Sequence, residues 1–270
     1  MAQGFHIVVC GSLVPDPLQT LEPIQSPTGP ALKNEMMLPA VLDPWAAHAL
    51  YEAANLAKKT GGDSKVWLVS LGPKAKLQQL MMTMAQKAAF ELVAIDGSSS
   101  GFTDSAEVAQ TLAGAIEKIP GLDKSRLLVF GGCSSASRDA GATIQLIGEH
   151  LGITDQFLAV DEFTVQNDGS FKILERVEAG QYQVSVCSAL PIAIGWATGN
   201  LPEPPNNPQI GMVNMRTIMP ALQKAQAAKV GAEGVTFASV KLPQQQRQTK
   251  IVKDVPVDEI ARDIVEWIKS

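Results

Sequence analysis

Cysteine is scarce in this chain: Cys10, Cys133 and Cys187 are three thiols in 270 residues, odd in number and far apart. That excludes a disulfide framework and a CxxC site, and it fits a reducing cytoplasm. Each is expected as a small buried hydrophobe. An excess of positive charge is also missing. The 22 Lys and Arg are outnumbered by 27 Asp and Glu, a net charge of -5, which argues against a nucleic-acid or anionic-membrane partner, since either would need a basic face. Apolar runs stay well short of the ~20 residues that span a bilayer. No basic, apolar leader stands ahead of the run Phe5–Cys10, which again points to the cytoplasm. Aromatics make up only 5% against 46% hydrophobic residues overall, as in a globular protein whose helices pack closely on a sheet. The length suits one substantial α/β domain, alone or with an extension.

Catalytic constellations are missing as well. His6, His48 and His150 form no HExxH and no metal-spaced pair, and they read as packed or surface histidines. There is no GxSxG elbow, Walker lysine loop or GxGxxG fingerprint. No catalytic residue and no metal site is assigned, and a stand-alone enzyme is not supported. Met81, Met82 and Met84 read as core filler.

What is present is an alternation. Phe5–Cys10, Lys65–Ser70, Glu91–Ile95 and Leu127–Phe130 are short apolar runs that read as buried strands,. Between them come helical patterns. Asp43-Pro44 supplies an N-cap and a first-turn proline for the stripe Ala46, Leu50, Ala53 and Ala57, and Gly61-Gly62 closes it,. Lys74–Ala88 is a Met-rich helix. Asp104 and Glu107 resemble a capping box before Val108, Leu112, Ile116 and Ile119,. Ile144, Ile147 and Leu151 stripe a further helix. The prediction is an α/β fold, with a mostly parallel open sheet and helices on both faces. After Gly152 the segments 157–165, 171–177 and 182–188 alternate, and Asn167-Asp168-Gly169 joins the first two, predicting a β-hairpin extension,. Leu190–Ala197 reads as one more buried strand. Residues 199–208 form a Pro/Asn-rich break before a short helix around 216–228. The long, proline-bearing stretch 12–40 is expected as a functional loop. The α/β domain is placed at 1–228 and a linker with a C-terminal helical arm at 229–270. The arm's apolar stripe, Val257, Ile260, Ile264 and Trp267/Ile268, must dock either on this chain's core or on a partner,.

Parallel sheets bind ligands beyond the carboxyl ends of their strands. The most informative loop is Gly132-Cys133-Ser134-Ser135-Ala136-Ser137-Arg138-Asp139-Ala140-Gly141-Ala142-Thr143. Small residues, hydroxyls and one arginine ahead of a helix suit a phosphate, through exposed amides and the helix N-terminus. The same loop also reads as a Ser-rich turn that only caps its helix.

Taken together, the strand-end loops resemble the electron-transfer flavoprotein β family. Val8–Asp16 resembles its first strand and loop, Leu42–Ala46 with Tyr51-Glu52-Ala53 its N-P-F segment, and Ser70-Leu71-Gly72-Pro73 its S-x-G-P turn. Gly132–Thr143 aligns without gaps to its nucleotide-phosphate loop. Asn207-Pro208 and Met212–Ala221 resemble its partner-recognition segment, and the last helix its C-terminal arm. The resemblance implies a heterodimer with an α subunit that carries most of the FAD site. It also implies a dehydrogenase as donor and a membrane quinone-reducing acceptor. This chain would hold AMP or a second FAD, surrounded by Cys10, Asp43, Pro44, Trp45, Leu71 and residues 132–143. Within that last loop the named positions are Gly132, Cys133, Ser134, Ser135, Ser137, Arg138, Asp139, Gly141, Ala142 and Thr143. Trp45 would either approach the flavin or serve as an interface or core aromatic.

Departures from the pattern are concentrated in the site. Ser134, Ser135, Ser137, Arg138 and Gly141-Ala142 replace the acidic run and the Asn-Gln of the phosphate loop, and Ser12 replaces a lysine. Val213 or Met215 is left as the recognition anchor. These changes mark a divergent member, in which Arg138 could offset phosphate charge. A free-standing adenine-nucleotide-binding regulatory protein of universal-stress-like fold is the alternative reading.

Overall fold

The run that begins at His6 is buried along its whole length, and the fold is arranged around it. The computed structural model describes residues 4–98, 100–137, 141–244, 249 and 251–269. In chain order they form β1 (His6–Cys10), β2 (Leu13–Pro15), β3 (Pro23–Ser26), β4 (Gly29–Leu32), β5 (Ala40–Leu42), α1 (Pro44–Thr60) and β6 (Lys65–Gly72). Then follow α2 (Lys74–Met84), β7 (Glu91–Asp96), α3 (Ser105–Ile116), β8 (Leu127–Gly132), α4 (Ala142–His150), β9 (Asp155–Val165) and β10 (Phe171–Arg176). The last elements are β11 (Tyr182–Cys187), β12 (Ile192–Trp196), α5 (Pro208–Gln223), β13 (Gln226–Ala227) and α6 (Val257–Lys269).

Nine strands join in the order β11-β10-β9-β12-β8-β1-β6-β7-β13. All neighbours from β9 to β13 run parallel, and β10 and β11 extend that sheet as antiparallel strands. The expected α/β fold with its hairpin extension is therefore present. Alternation along β1 splits the core. Ile7 and Val9 face α1, α2 and α5 through Leu50, Met81 and Ile218. Val8 and Cys10 face α3 and α4 through Leu112, Ile116 and Ile147. Burying each such aliphatic side chain contributes roughly 1.5–3 kcal/mol, which is why runs so short are strands without polar alternation.

Three expectations need correction. Residues 12–40 are not one long loop: β2 pairs with β5, and β3 pairs with β4, in two small antiparallel ladders. The helix expected near 216–228 begins at Pro208, where Asn207 caps it by accepting from the amides of Gln209 and Ile210. Met82 is exposed, although Met81 and Met84 fill the core.

The chain divides into two units, Met1–Val240 and Lys241–Ser270. The stretch 229–240, read from sequence as linker, stays with the first unit. Val230 is buried in the core, and the amides of Gly231, Ala232, Glu233 and Gly234 donate to the Glu107 carboxylate. In the second unit α6 carries its apolar residues exposed. Among the described residues no helix is long and apolar enough to cross a membrane.

Candidate functional site

From β1 the chain winds outward to β6 and β7, then crosses back to lay β8 on the other side of β1. This reversal sets a crevice between the carboxyl ends of β1 and β8, where sheets of this kind accept ligands. A cavity of about 70 Å³ opens there, lined by Cys10, Ser12, Asp43, Gly132, Ser135 and Thr143 among others. A second, of about 60 Å³, shares Ser12, Asp43, Ser135 and Thr143 with it and continues past Leu71 to Ser98, Ser100 and Thr103.

Helix α4 starts beside the first cavity. Its N-cap is Gly141, which has no side chain to satisfy the first amides,. Gly141, Thr143 and Ile144 line the cavity, so the positive end of the helix dipole faces it. Close approach of two backbones fixes the residue types. A Cβ at Gly141 would lie 2.0 Å from the Cys133 carbonyl oxygen, and one at Gly132 would lie 2.5 Å from Trp45 Cβ. Only glycine allows the 132–141 loop to fold back on itself against α1.

Among the described residues that line the two cavities, Asp43 is the charged one. It caps α1 by accepting from the Trp45 amide at 3.1 Å, and it also accepts from the Ala136 amide at 2.9 Å. Burial pushes its carboxyl above the usual aspartate range, against the pull of these backbone hydrogen bonds. Burial drives Cys10 up to about 12 and raises Cys133 as well.

The structure brings together most of the residues singled out from sequence. Cys10, Asp43, Leu71, Gly132, Ser134, Ser135, Ser137, Gly141 and Thr143 line one cavity or the other. Pro44, Trp45, Cys133 and Ala142 lie beside them and line neither. Trp45 is half-buried against Gly132, and the Cys133 amide donates to the Trp196 carbonyl at 2.9 Å. Arg138 and Asp139 lie outside the described residues. Sequence reasoning missed the loop after β7. Gly97-Ser98, Ser100 and Gly101 have the same small, hydroxyl-rich character at a strand end, a signal that was available. A Cβ at Gly101 would sit 3.4 Å from Ser137 Cβ, so this loop lies against the 132–141 loop. Of the two residues singled out from sequence as candidate recognition anchors, Val213 is exposed on α5, whereas Met215 packs against the core.

The electron transfer flavoprotein domain, as a family, matches residues 34–238 of the chain. This chain belongs to that family. Electron transfer flavoprotein domains are associated with flavin and with passing electrons between protein partners. The matched span includes α1, the 132–141 loop and α5; β1 and its loop precede it, and α6 follows it. No curated protein was found to match the chain.

Proposed function

We propose that this electron transfer flavoprotein domain is the β-type subunit of a cytoplasmic heterodimer. It binds an adenine nucleotide, AMP or a second FAD, in the switch-point crevice, and helps an α subunit hold FAD. One observation carries the reading: the uncapped start of α4 faces a phosphate-sized cavity ringed by Ser12, Ser134, Ser135 and Thr143. Backbone amides and hydroxyls are neutral donors suited to a phosphate. The residues fit the phosphate end of an adenylate. Gly132, Ser134, Ser135, Gly141 and Thr143 would hold it, Cys10 and Leu71 would form apolar walls, and Arg138 would add positive charge. Flavin, when bound, supplies the redox chemistry, and this chain binds and orients. Family membership supports this carrier role over a free-standing regulatory protein.

Exposed apolar surface supports the existence of partners. Tyr182, Val184 and Val186 alternate along the edge strand β11 and are all exposed. Ile210, Met212 and Val213 are exposed at the start of α5. An α subunit, a dehydrogenase donor and a membrane quinone-reducing acceptor are the partners this reading assigns. The test is co-expression with a candidate α subunit, followed by mass identification of the small molecules released from the purified pair. An adenine nucleotide beyond the one FAD is expected. A yellow, stable heterodimer that releases FAD alone, at one per pair, refutes the nucleotide site.

A further inference from the structure

We propose that the groove along the outer edge of β7 takes up an extended, acidic segment of a partner protein, which adds to the sheet as a further strand. This does not depend on the carrier reading above. Strand β13 covers that edge only at Ile95 and Asp96, opposite Gln226 and Ala227. Residues Glu91–Ala94 have β6 on one side and, among the described residues, no strand on the other. An open edge presents a row of backbone N–H and C=O groups that can pair with an incoming strand.

The edge is also walled. A groove of about 700 Å³ runs along it, with Val93 on the floor, Ala115 and Ile119 at the end of α3, and Pro220 and Ala221 on α5. Those walls leave room for one extended chain and offer apolar contacts to its alternate side chains. Pro220 has no N–H to return to the Arg216 carbonyl,, so that backbone acceptor lacks its helical donor in the stretch of α5 that lines the groove.

Charge selects the occupant. Lys118, Arg216 and Lys224 line the groove, and all three are exposed. None has an ion-pair partner among the described residues. Three such cations gathered in a chain of net charge -5 favour an acidic ligand. The one acidic residue there, Glu91, is engaged by the Trp67 indole N–H at 3.1 Å. A second copy of this chain would set these cations against one another, and like charges facing across an interface oppose association.

The test is selection of short random peptides on the full chain, with the Lys118→Glu/Arg216→Glu/Lys224→Glu protein as counter-target. The three side chains are exposed, so the fold should survive, and its circular dichroism and melting point check that. Enriched peptides are expected to be acidic, with alternating apolar residues. Their binding should weaken about tenfold or more on charge reversal, the sum of three modest surface pairs. They should also slow hydrogen exchange of amides in Glu91–Ala94. Peptides without an acidic excess, equal binding to the reversed protein, unchanged exchange or no enrichment would each overturn the proposal. A dimer of the chain that masks the same amides would assign the groove to a second copy instead.

Discussion

Asp43 and Ala136 are 93 positions apart, and the Asp43 carboxylate accepts the Ala136 amide hydrogen at 2.9 Å. One side chain thereby ties the start of α1 to the loop after β8, across the crevice proposed to hold a phosphate. The same contact places a buried negative charge beside that site and occupies an amide that an anion could use. Asp43→Asn keeps a capping acceptor for the Trp45 amide but removes the charge and frees the Ala136 N–H. Relief of like-charge repulsion at short range is about 1 kcal/mol, so AMP should bind roughly fivefold more tightly. Calorimetric titration of the purified complex measures this, and weaker binding would contradict the placement of the phosphate.

The same residue sets a pH dependence. Burial, opposed by its amide hydrogen bonds, raises the Asp43 carboxyl above its ordinary value of 3.8. A carboxyl raised in the folded state binds more protons folded than unfolded, so its contribution is full below 3.8 and is lost as pH rises through the raised value,. Relative to Asp43→Asn, the wild-type chain should lose stability from the acid side toward neutrality. Thermal unfolding of both proteins across that range checks the sign. A difference that stays constant with pH would exclude Asp43 as the titrating group.

Local signals made some of this legible, and their limits explain the rest. Asp43-Pro44 announces α1 because cap and proline are followed by an unbroken apolar stripe. Asn207-Pro208 carries the same signal for α5, yet it stands at the end of the Pro/Asn-rich run 199–208, where cap and proline read as part of the break and the helix is placed too late. Pro23 and Pro30 conceal β3 and β4 in a similar way. A two-stranded ladder is all edge, so proline is tolerated in it. The glycines and serines of the crevice are visible as strand-end loops. The Asp43–Ala136 bond is not, because nothing in local periodicity links residues so distant. Nor does a capping-box pattern show that the Glu107 carboxylate is engaged by the distant 231–234 loop.

Two glycines separate close packing from open helix. Gly114 lies inside α3 with nothing within 4 Å of an added Cβ, whereas at Gly141 that atom would meet the Cys133 carbonyl at 2.0 Å. Gly114→Ala should stabilise the chain by about 0.5–1 kcal/mol, the helical cost of glycine. Gly141→Ala should destabilise it by about 1–3 kcal/mol, as overpacking does, and should release bound nucleotide. Urea denaturation of the two variants should shift the midpoint in opposite directions. Shifts of the same sign would mean that the 132–141 loop is looser than this geometry.

Glu107 holds the loop after β13 through four backbone amides, which set its carboxyl below the usual glutamate range. A lowered carboxyl stabilises the fold above its unfolded pKa, and that contribution disappears as pH falls through its folded value. Acid should therefore loosen residues 231–234 before the sheet opens, and Glu107→Ala should do so at neutral pH. Hydrogen exchange at Gly231, Ala232, Glu233 and Gly234 reports both. Unchanged protection in the variant would show that Phe237, in edge contact with Phe102, is enough to hold the segment.

The last prediction concerns α6. Val257, Ile260, Ile264, Trp267 and Ile268 are all exposed, while Asp258, Glu259, Arg262, Asp263, Glu266 and Lys269 supply the helix's charge. A helix this amphipathic gains little from standing in water and much from burying that stripe. Because the unit Met1–Val240 holds both core clusters within itself, a chain ending at Val240 should melt within about 2 °C of the full chain, since truncation removes little of its folding free energy. Its affinity for an α subunit should nevertheless fall, measured by size exclusion of co-expressed pairs. If the shortened chain melts much earlier, the stripe serves this protein's own fold. If the pair survives truncation intact, the stripe meets some other surface, and β11 with the start of α5 must carry the heterodimer alone.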